Sequence, residues 1–129
     1  MQRLPRQLLV DRLQAQYAGI KASDATKGNI AALASEQTFS VTTAHQLNIF
    51  TGPMYVIIKI MSAINLAEQL RQRYPEFKFV PVYWLGSEDH DFQEINHTYV
   101  FGKKVEWNGQ PMGAVGAMKS ERLKKTIEE

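Results

Sequence analysis

The sequence predicts an α/β fold built on one βαβ crossover, and three runs of residues predict it. Thr38 to Thr43 is rich in β-branched side chains and reads as a short strand. A long apolar run follows, opening at Thr51-Gly52-Pro53 and ending at Tyr74, just before Pro75. Phe77 to Leu85, FKFVPVYWL, is almost continuously apolar and rich in β-formers, the pattern of a strand buried on both faces of a parallel sheet. Strand, long helix and strand with short connections make a right-handed crossover, which sets the two strands parallel and close.

Before the crossover, Leu4, Leu8, Leu9, Leu13, Tyr17 and Ile20 recur at helical spacing, with Gly19 as a stop. A second helix fits Asp24 to Ala34, capped by Ser23 or Asp24. Pro53 suits the first position of the crossover helix, where its missing N–H costs nothing. Pro81 inside the second strand fits only a bulge or a ladder edge. His97 to Phe101 and Lys104 to Trp107 read as the strands of a β-hairpin, and Asn108-Gly109 beside them is a tight-turn signal. From Lys119 a charged helix begins. The resulting organisation is an N-terminal helical segment over 1–37, a half-domain with a partial parallel sheet over 38–118, and the start of a further helix over 119–129. A long opening helix with little context and a final helix without a cap suggest a segment of a longer protein.

Composition narrows the function classes. Fifteen basic and 13 acidic residues leave a net charge of +2, and the basic residues are scattered, so neither nucleic acid nor a membrane surface is an expected partner. The absence of cysteine removes disulfides, thiolate metal sites and a Cys nucleophile. Met1 to Val10 has no apolar leader core, and Met54 to Ala67 is interrupted by Lys59, Ser62 and Asn65, too short and too polar to span a bilayer. These features predict a soluble, cytoplasmic protein. No Walker motif and no GxSxG elbow occurs, and Gly109, Gly113 and Gly116 do not follow a strand-to-helix turn as a dinucleotide fingerprint requires. Trp84 and Trp107 read first as core or sheet-face residues.

Two polar clusters stand out. The first runs from Thr42 to Pro53 and contains His45, Gln46, Asn48, Thr51 and Gly52. The second, Trp84-Leu-Gly-Ser-Glu-Asp-His-Asp91, is followed by Glu94, Asn96 and His97. Parallel strands place both clusters at their carboxyl ends, where open α/β sheets bind ligands. The first loop enters a helix N-terminus, which favours an anion, and Gly52 would let a phosphate or carboxylate approach the backbone. Tyr55, Lys59 and Ser62 line one polar stripe of that helix; Lys59 either meets the anion or merely snorkels to solvent. In the second cluster, crowded carboxylates raise one another's pKa, which calls for a cation, a metal or a substrate ammonium group. Asp91 with Glu94 also matches a capping box, so part of this acidity starts a helix. On such a helix His90, Glu94 and His97 would share a face, but the spacing matches no established zinc pattern, and no metal site is assigned.

At these clusters the chain resembles the bacillithiol biosynthesis family BshC, the cysteine-adding ligases. The stretches that carry the resemblance are Val41 to Tyr55 with Lys59, Val80 to His97, and Val115-Gly-Ala-Met118. The chain departs from the commoner family pattern at Ala44 (usually Gly), His45 (usually Gln) and Asn48 (usually Gly). The resemblance implies a Rossmann-like core related to class I aminoacyl-tRNA synthetases and nucleotidylyl transferases, here as a partial parallel sheet. It implies amide formation joining cysteine to glucosaminyl-malate, the last step of bacillithiol synthesis. The cysteine carboxylate would first be activated, with ATP as the cofactor this suggests and magnesium at most accompanying the nucleotide.

On that reading Thr51, Gly52, Pro53 and Lys59 hold phosphate or carboxylate, and His45 and Gln46 contact the same anion. Asn48, Tyr55, Trp84, Ser87, Asp91, Asn96 and His97 complete the binding residues. Glu88, Asp89 and His90 are the catalytic candidates: Glu88 or Asp89 binds the substrate ammonium or acts as base, with His90 the alternative base. A homo-oligomer is compatible with the resemblance, and the segment alone is expected to be inactive. Two other classes fit the residues: a non-catalytic ligand-binding domain, and a metal-dependent hydrolase using Glu88, His90 and Asp91.

Overall fold

A computed structural model describes residues 5–109, 113–120 and 123–127. Helices α1 (Arg6–Tyr17) and α2 (Asp24–Ala32) precede strand β1 (Thr38–Gln46), and helix α3 (Met54–Arg73) connects β1 to strand β2 (Lys78–Gly86). β1 and β2 pair as a two-stranded parallel sheet, so the predicted crossover is present. One helical turn, α4 (Phe92–Ile95), leads into the antiparallel strands β3 (His97–Val100) and β4 (Lys103–Glu106). A 3-10 turn at Val115–Ala117 and helix α5 (Leu123–Ile127) follow. The final helix thus starts later than Lys119, and Glu121, Arg122, Glu128 and Glu129 lie outside the described residues. No helix among the described residues is long and apolar enough to cross a membrane.

The chain divides into two compact units, Met1–Thr42 with Ala63–Val82, and Thr43–Ser62 with Tyr83–Glu129. In the first, Val10, Ile30, Leu33 and Val80 form the core, with Leu13, Tyr17, Ala32 and Val82 packed against it. α1 therefore buries the stripe Val10, Leu13, Tyr17. Leu8, Leu9 and Ile20, expected on the buried face, are about half exposed, and Leu4 lies outside the described residues. The helix offers two apolar stripes that share Leu13 and Tyr17, and the one with β-branched Val10 wins. Ser23 caps α2, its Oγ accepting the Thr26 N–H at 3.2 Å, and the helix ends at Ala32, two residues before the predicted Ala34. Arg6 donates to the carbonyls of Leu33 (3.2 Å) and Thr38 (3.1 Å), tying α1 to the start of β1.

The second unit packs Ile49, Phe92, Ile95, Trp107 and Val115 against Leu47, Met118 and Leu123. Phe92 meets Trp107 edge-on at 5.1 Å. The hairpin turns at Phe101-Gly102, both at positive φ (50° and 79°), the two-residue loop whose twist suits flanking strands. Asn108-Gly109, the tight-turn signal beside the hairpin, lies beyond β4 and joins no strands among the described residues. Packing selects that glycine: a Cβ at 109 would sit 3.0 Å from both the Phe92 and Trp107 rings.

β2 departs from the expectation of burial on both faces. Val80 is buried, but Tyr83, Trp84 and Leu85 are 37%, 58% and 48% exposed. A parallel strand is buried only when both its faces are covered, and the described residues leave this half of β2 open. α3 buries one face, Val56, Ala63 and Ala67, while its further apolar residues Met54, Ile57, Ile58 and Met61 stay exposed.

Candidate functional site

β1 runs past the predicted Thr43 to Gln46, so His45 and Gln46 end a strand instead of opening a loop. The backbone at Gly86, where β2 ends, lies against them: a Cβ there would be 3.5 Å from the His45 carbonyl oxygen. The Ile49 N–H donates to the Ile95 carbonyl at 3.2 Å, fixing the loop after β1 to α4. Gly52 turns that loop into α3 at φ 67°, and a Cβ on it would meet the Asn48 side chain at 3.0 Å. The close approach for which glycine is needed here is thus to Asn48, where the sequence suggested a bound anion.

These local constraints assemble one hydrogen-bonded network. Tyr55, in the first turn of α3, donates its hydroxyl proton to Glu94 Oε1 at 2.7 Å. The other carboxylate oxygen, Oε2, accepts a short hydrogen bond from Gln46 Nε2. His45 Nε2 lies 2.5 Å from the Tyr55 oxygen. A phenol has a single proton, already given to Glu94, so Nε2 must be the donor in this pair. Nδ1 lies 3.0 Å from the Gln46 carbonyl oxygen and 2.9 Å from Asn48 Nδ2, which also donates to that carbonyl at 3.1 Å. Lys59 Nζ donates to the Ala44 carbonyl at 2.6 Å, with the Tyr55 ring 6.0 Å away.

The electrostatics follow from this wiring. Glu94 is held below the ordinary carboxylate range, chiefly by the Tyr55 hydrogen bond; desolvation opposes this, and Gln46 and His45 assist it. Tyr55 is pushed up to about 12, first by desolvation and then by the Glu94 carboxylate. The phenol therefore stays a donor and the carboxylate stays charged at neutral pH. The sequence reading gives Glu94 no binding or catalytic role. Its capping-box position suggested that it helps start a helix, and half of that use is real: Asp91 caps α4, its Oδ1 accepting the Glu94 N–H at 3.2 Å. The reciprocal half is missing, because the Glu94 carboxylate turns to Tyr55 and Gln46.

The other predicted residues are distributed around this centre. Glu88 and His90 are exposed on the loop after β2, and Trp84 Nε1 stands 3.5 Å from Glu88 Oε1. Asp89 is exposed, and its Oδ1 accepts from the N–H groups of His90 (2.7 Å) and Asp91 (3.4 Å). Its charge also reaches Glu94, opposing ionisation there. The Ser87 carbonyl accepts from Gly116 at 2.9 Å, and the Asp89 carbonyl from Val115 at 2.7 Å, so the Val115–Met118 stretch buttresses this loop. Asn96 is buried and reaches Glu106 and the Trp107 carbonyl at 3.4 Å, while His97 Nδ1 lies 3.1 Å from Asn96 Oδ1. Those two residues brace the hairpin. Thr51 is exposed and Pro53 half-buried at the entry to α3. The helical face imagined for His90, Glu94 and His97 does not form: α4 spans only Phe92–Ile95, and His97 opens β3. Among the described residues no group of three or more His, Asp or Glu could hold a metal ion.

With this geometry in place, comparison with known proteins is decisive on family. The model of the bacillithiol biosynthesis protein BshC, N-terminal Rossmann-like domain, matches residues 1–129. The chain belongs to this BshC domain family. A curated relative from Flavobacterium psychrophilum is 51% identical over 118 residues, covering 92% of this chain and 22% of its own length. One from Flavobacterium johnsoniae is 52% identical, covering 89% and 22%, and one from Cytophaga hutchinsonii 46% identical, covering 98% and 24%. Each carries the name "Putative cysteine ligase BshC". The chain spans less than a quarter of the length of these BshC relatives.

Proposed function

We propose that the chain is the N-terminal domain of an amide-forming ligase that adds cysteine to glucosaminyl-malate, completing bacillithiol in the cytoplasm. The observation that carries this reading is the His45–Tyr55–Glu94–Gln46 network, built where the parallel strands β1 and β2 end, in a chain of the BshC family. Such crevices are the ligand sites of open α/β sheets.

An amide does not form from a free carboxylate and an amine without activation, because the carboxylate is a poor electrophile. Activation by ATP would supply a leaving group. The donor set suits an anion: Lys59 and the N-terminus of α3 behind Thr51-Gly52-Pro53 present positive charge and N–H groups. Those residues would hold the phosphate, with magnesium travelling on the nucleotide. His45 is 94% buried as a side chain, its other face being taken by Asn48, so its part is to hold the Tyr55 hydroxyl in place. Glu88 and His90, exposed on the adjoining loop, are the groups free to take the proton that the attacking amine must lose.

The test is the full-length protein supplied with cysteine, glucosaminyl-malate and ATP, and assayed for the thiol product. Product formation is expected, and loss of about a hundredfold or more in His90→Ala would assign the base to that residue. Saturable binding of the substrates without product would reduce the domain to a ligand-binding role and overturn the proposal.

A further inference from the structure

The network has a surplus of acceptors. Each donor group in it is used: the Tyr55 hydroxyl, Gln46 Nε2, His45 Nε2 and Asn48 Nδ2 all have partners. Two acceptors are not: Gln46 Oε1 and Asn48 Oδ1 are buried without any hydrogen-bond partner. Gln46 as a whole is 4% exposed. Buried acceptors left unpaired are costly, so each calls for a donor. Gln46 Oε1 sits on the same amide carbon as the nitrogen that holds Glu94. Rotating the amide would satisfy it only by turning an oxygen onto the carboxylate. The donor must therefore come from outside the network.

The charge points the same way. Glu94 is 44% exposed as a side chain, so its carboxylate is open to an incoming group while two neighbours hold it. Asp89 adds a second negative charge within electrostatic reach. Two carboxylates and two orphan acceptors describe a place for a cation with several N–H groups. A metal ion fits less well, since no set of three His, Asp or Glu ligands exists among the described residues.

We propose that Glu94, backed by Gln46 and Tyr55, is the subsite for the primary ammonium group of an amino substrate. This assigns the ammonium to Glu94 and not to Glu88 or Asp89, and it rests on the ligase reading for the identity of the amines. Two sources share the chemistry, the amino group of cysteine and the amine to which cysteine is joined. Glu94 supplies the charge, Tyr55 fixes one of its oxygens, and Gln46 fixes the other.

The test is Glu94→Gln in the full-length enzyme, with KM measured for each amine in turn. The KM of one amine should rise about tenfold or more, the loss of a charge-assisted hydrogen bond, with kcat little changed. Whichever KM responds names the source. Tyr55→Phe, which keeps the ring, should raise the same KM by a smaller factor, and it carries the test if Glu94→Gln fails to fold. Calorimetric titration adds an arm that needs no turnover: where the responding amine is cysteine, wild-type protein should bind it and not N-acetylcysteine, which lacks the ammonium. Unchanged KM values for both amines in an active Glu94→Gln enzyme overturn the subsite and leave the ligase reading standing. Cysteine binding without turnover sinks the ligase reading, and the subsite then stands or falls on whether Glu94→Gln weakens that binding. Binding of the amine that a chelator abolishes would replace the ammonium subsite with a metal site and overturn it.

Discussion

Tyr55 and Glu94 share one proton, and the pH dependence of that bond has two ends. Tyr55 is raised from 10.0 to about 12 in the folded protein, so its contribution is fully present below pH 10 and is lost as pH climbs from 10 towards 12. Glu94 is depressed, so its contribution is present above the ordinary carboxylate value and disappears as pH falls through its lowered one. The stability difference between wild type and Tyr55→Phe should therefore be flat across neutral pH and shrink at both extremes, as measured by denaturant unfolding at a series of pH values. Gly52 gives a second prediction at this scale. Its φ of 67° and the 3.0 Å approach of Asn48 to a would-be Cβ make Gly52→Ala destabilising by about 1–3 kcal/mol in the same assay. The polar clusters made His45, Gln46 and Tyr55 legible in the sequence. Glu94 was hidden, because a capping-box glutamate and a site glutamate have the same spacing until one sees where the carboxylate turns. His45 and Asn48, both in the first polar cluster, are hydrogen bonded to each other.

Elements were legible where local chemistry alone decides them. Ser23 is such a case: its hydroxyl satisfies the Thr26 N–H, and Ser23→Ala should cost about 1 kcal/mol of stability in thermal unfolding, without altering the site. The parallel crossover was legible for a similar reason, because Pro53 and Pro75 bracket an apolar run too long for a strand. Where two signals compete, the sequence misleads. Asn-Gly is the stronger turn signal in isolation, yet Asn108-Gly109 follows the hairpin, whose turn at Phe101-Gly102 lies about where the two strand patterns put it. α1 shows the same difficulty: two stripes fit its periodicity, and only the tertiary partner Val80 chooses between them.

At the scale of the whole molecule, the least legible property is what each apolar surface faces. The run FKFVPVYWL reads as fully buried, but hydropathy cannot distinguish a strand covered within 129 residues from one left open along Tyr83–Leu85. α3 poses the same question through Met54, Ile57, Ile58 and Met61, spaced to lie on one helical face and 44–70% exposed. Exposed apolar patches of this kind favour association. The 129-residue chain produced alone should bind a hydrophobic dye, and replacing Ile58 and Met61 by Lys should sharply reduce that binding while leaving the helical circular dichroism unchanged.

The unequal burial of the two tryptophans equips the protein with an internal optical probe. Trp107 is 6% exposed beside Phe92, whereas Trp84 is 58% exposed and its indole nitrogen faces Glu88 across 3.5 Å. A water-borne quencher such as acrylamide should extinguish one fluorophore and spare the other. In Trp107→Phe, the surviving red-shifted emission would then come from the exposed end of β2 alone, so a ligand titrated onto the loop after that strand would announce its arrival without any attached dye.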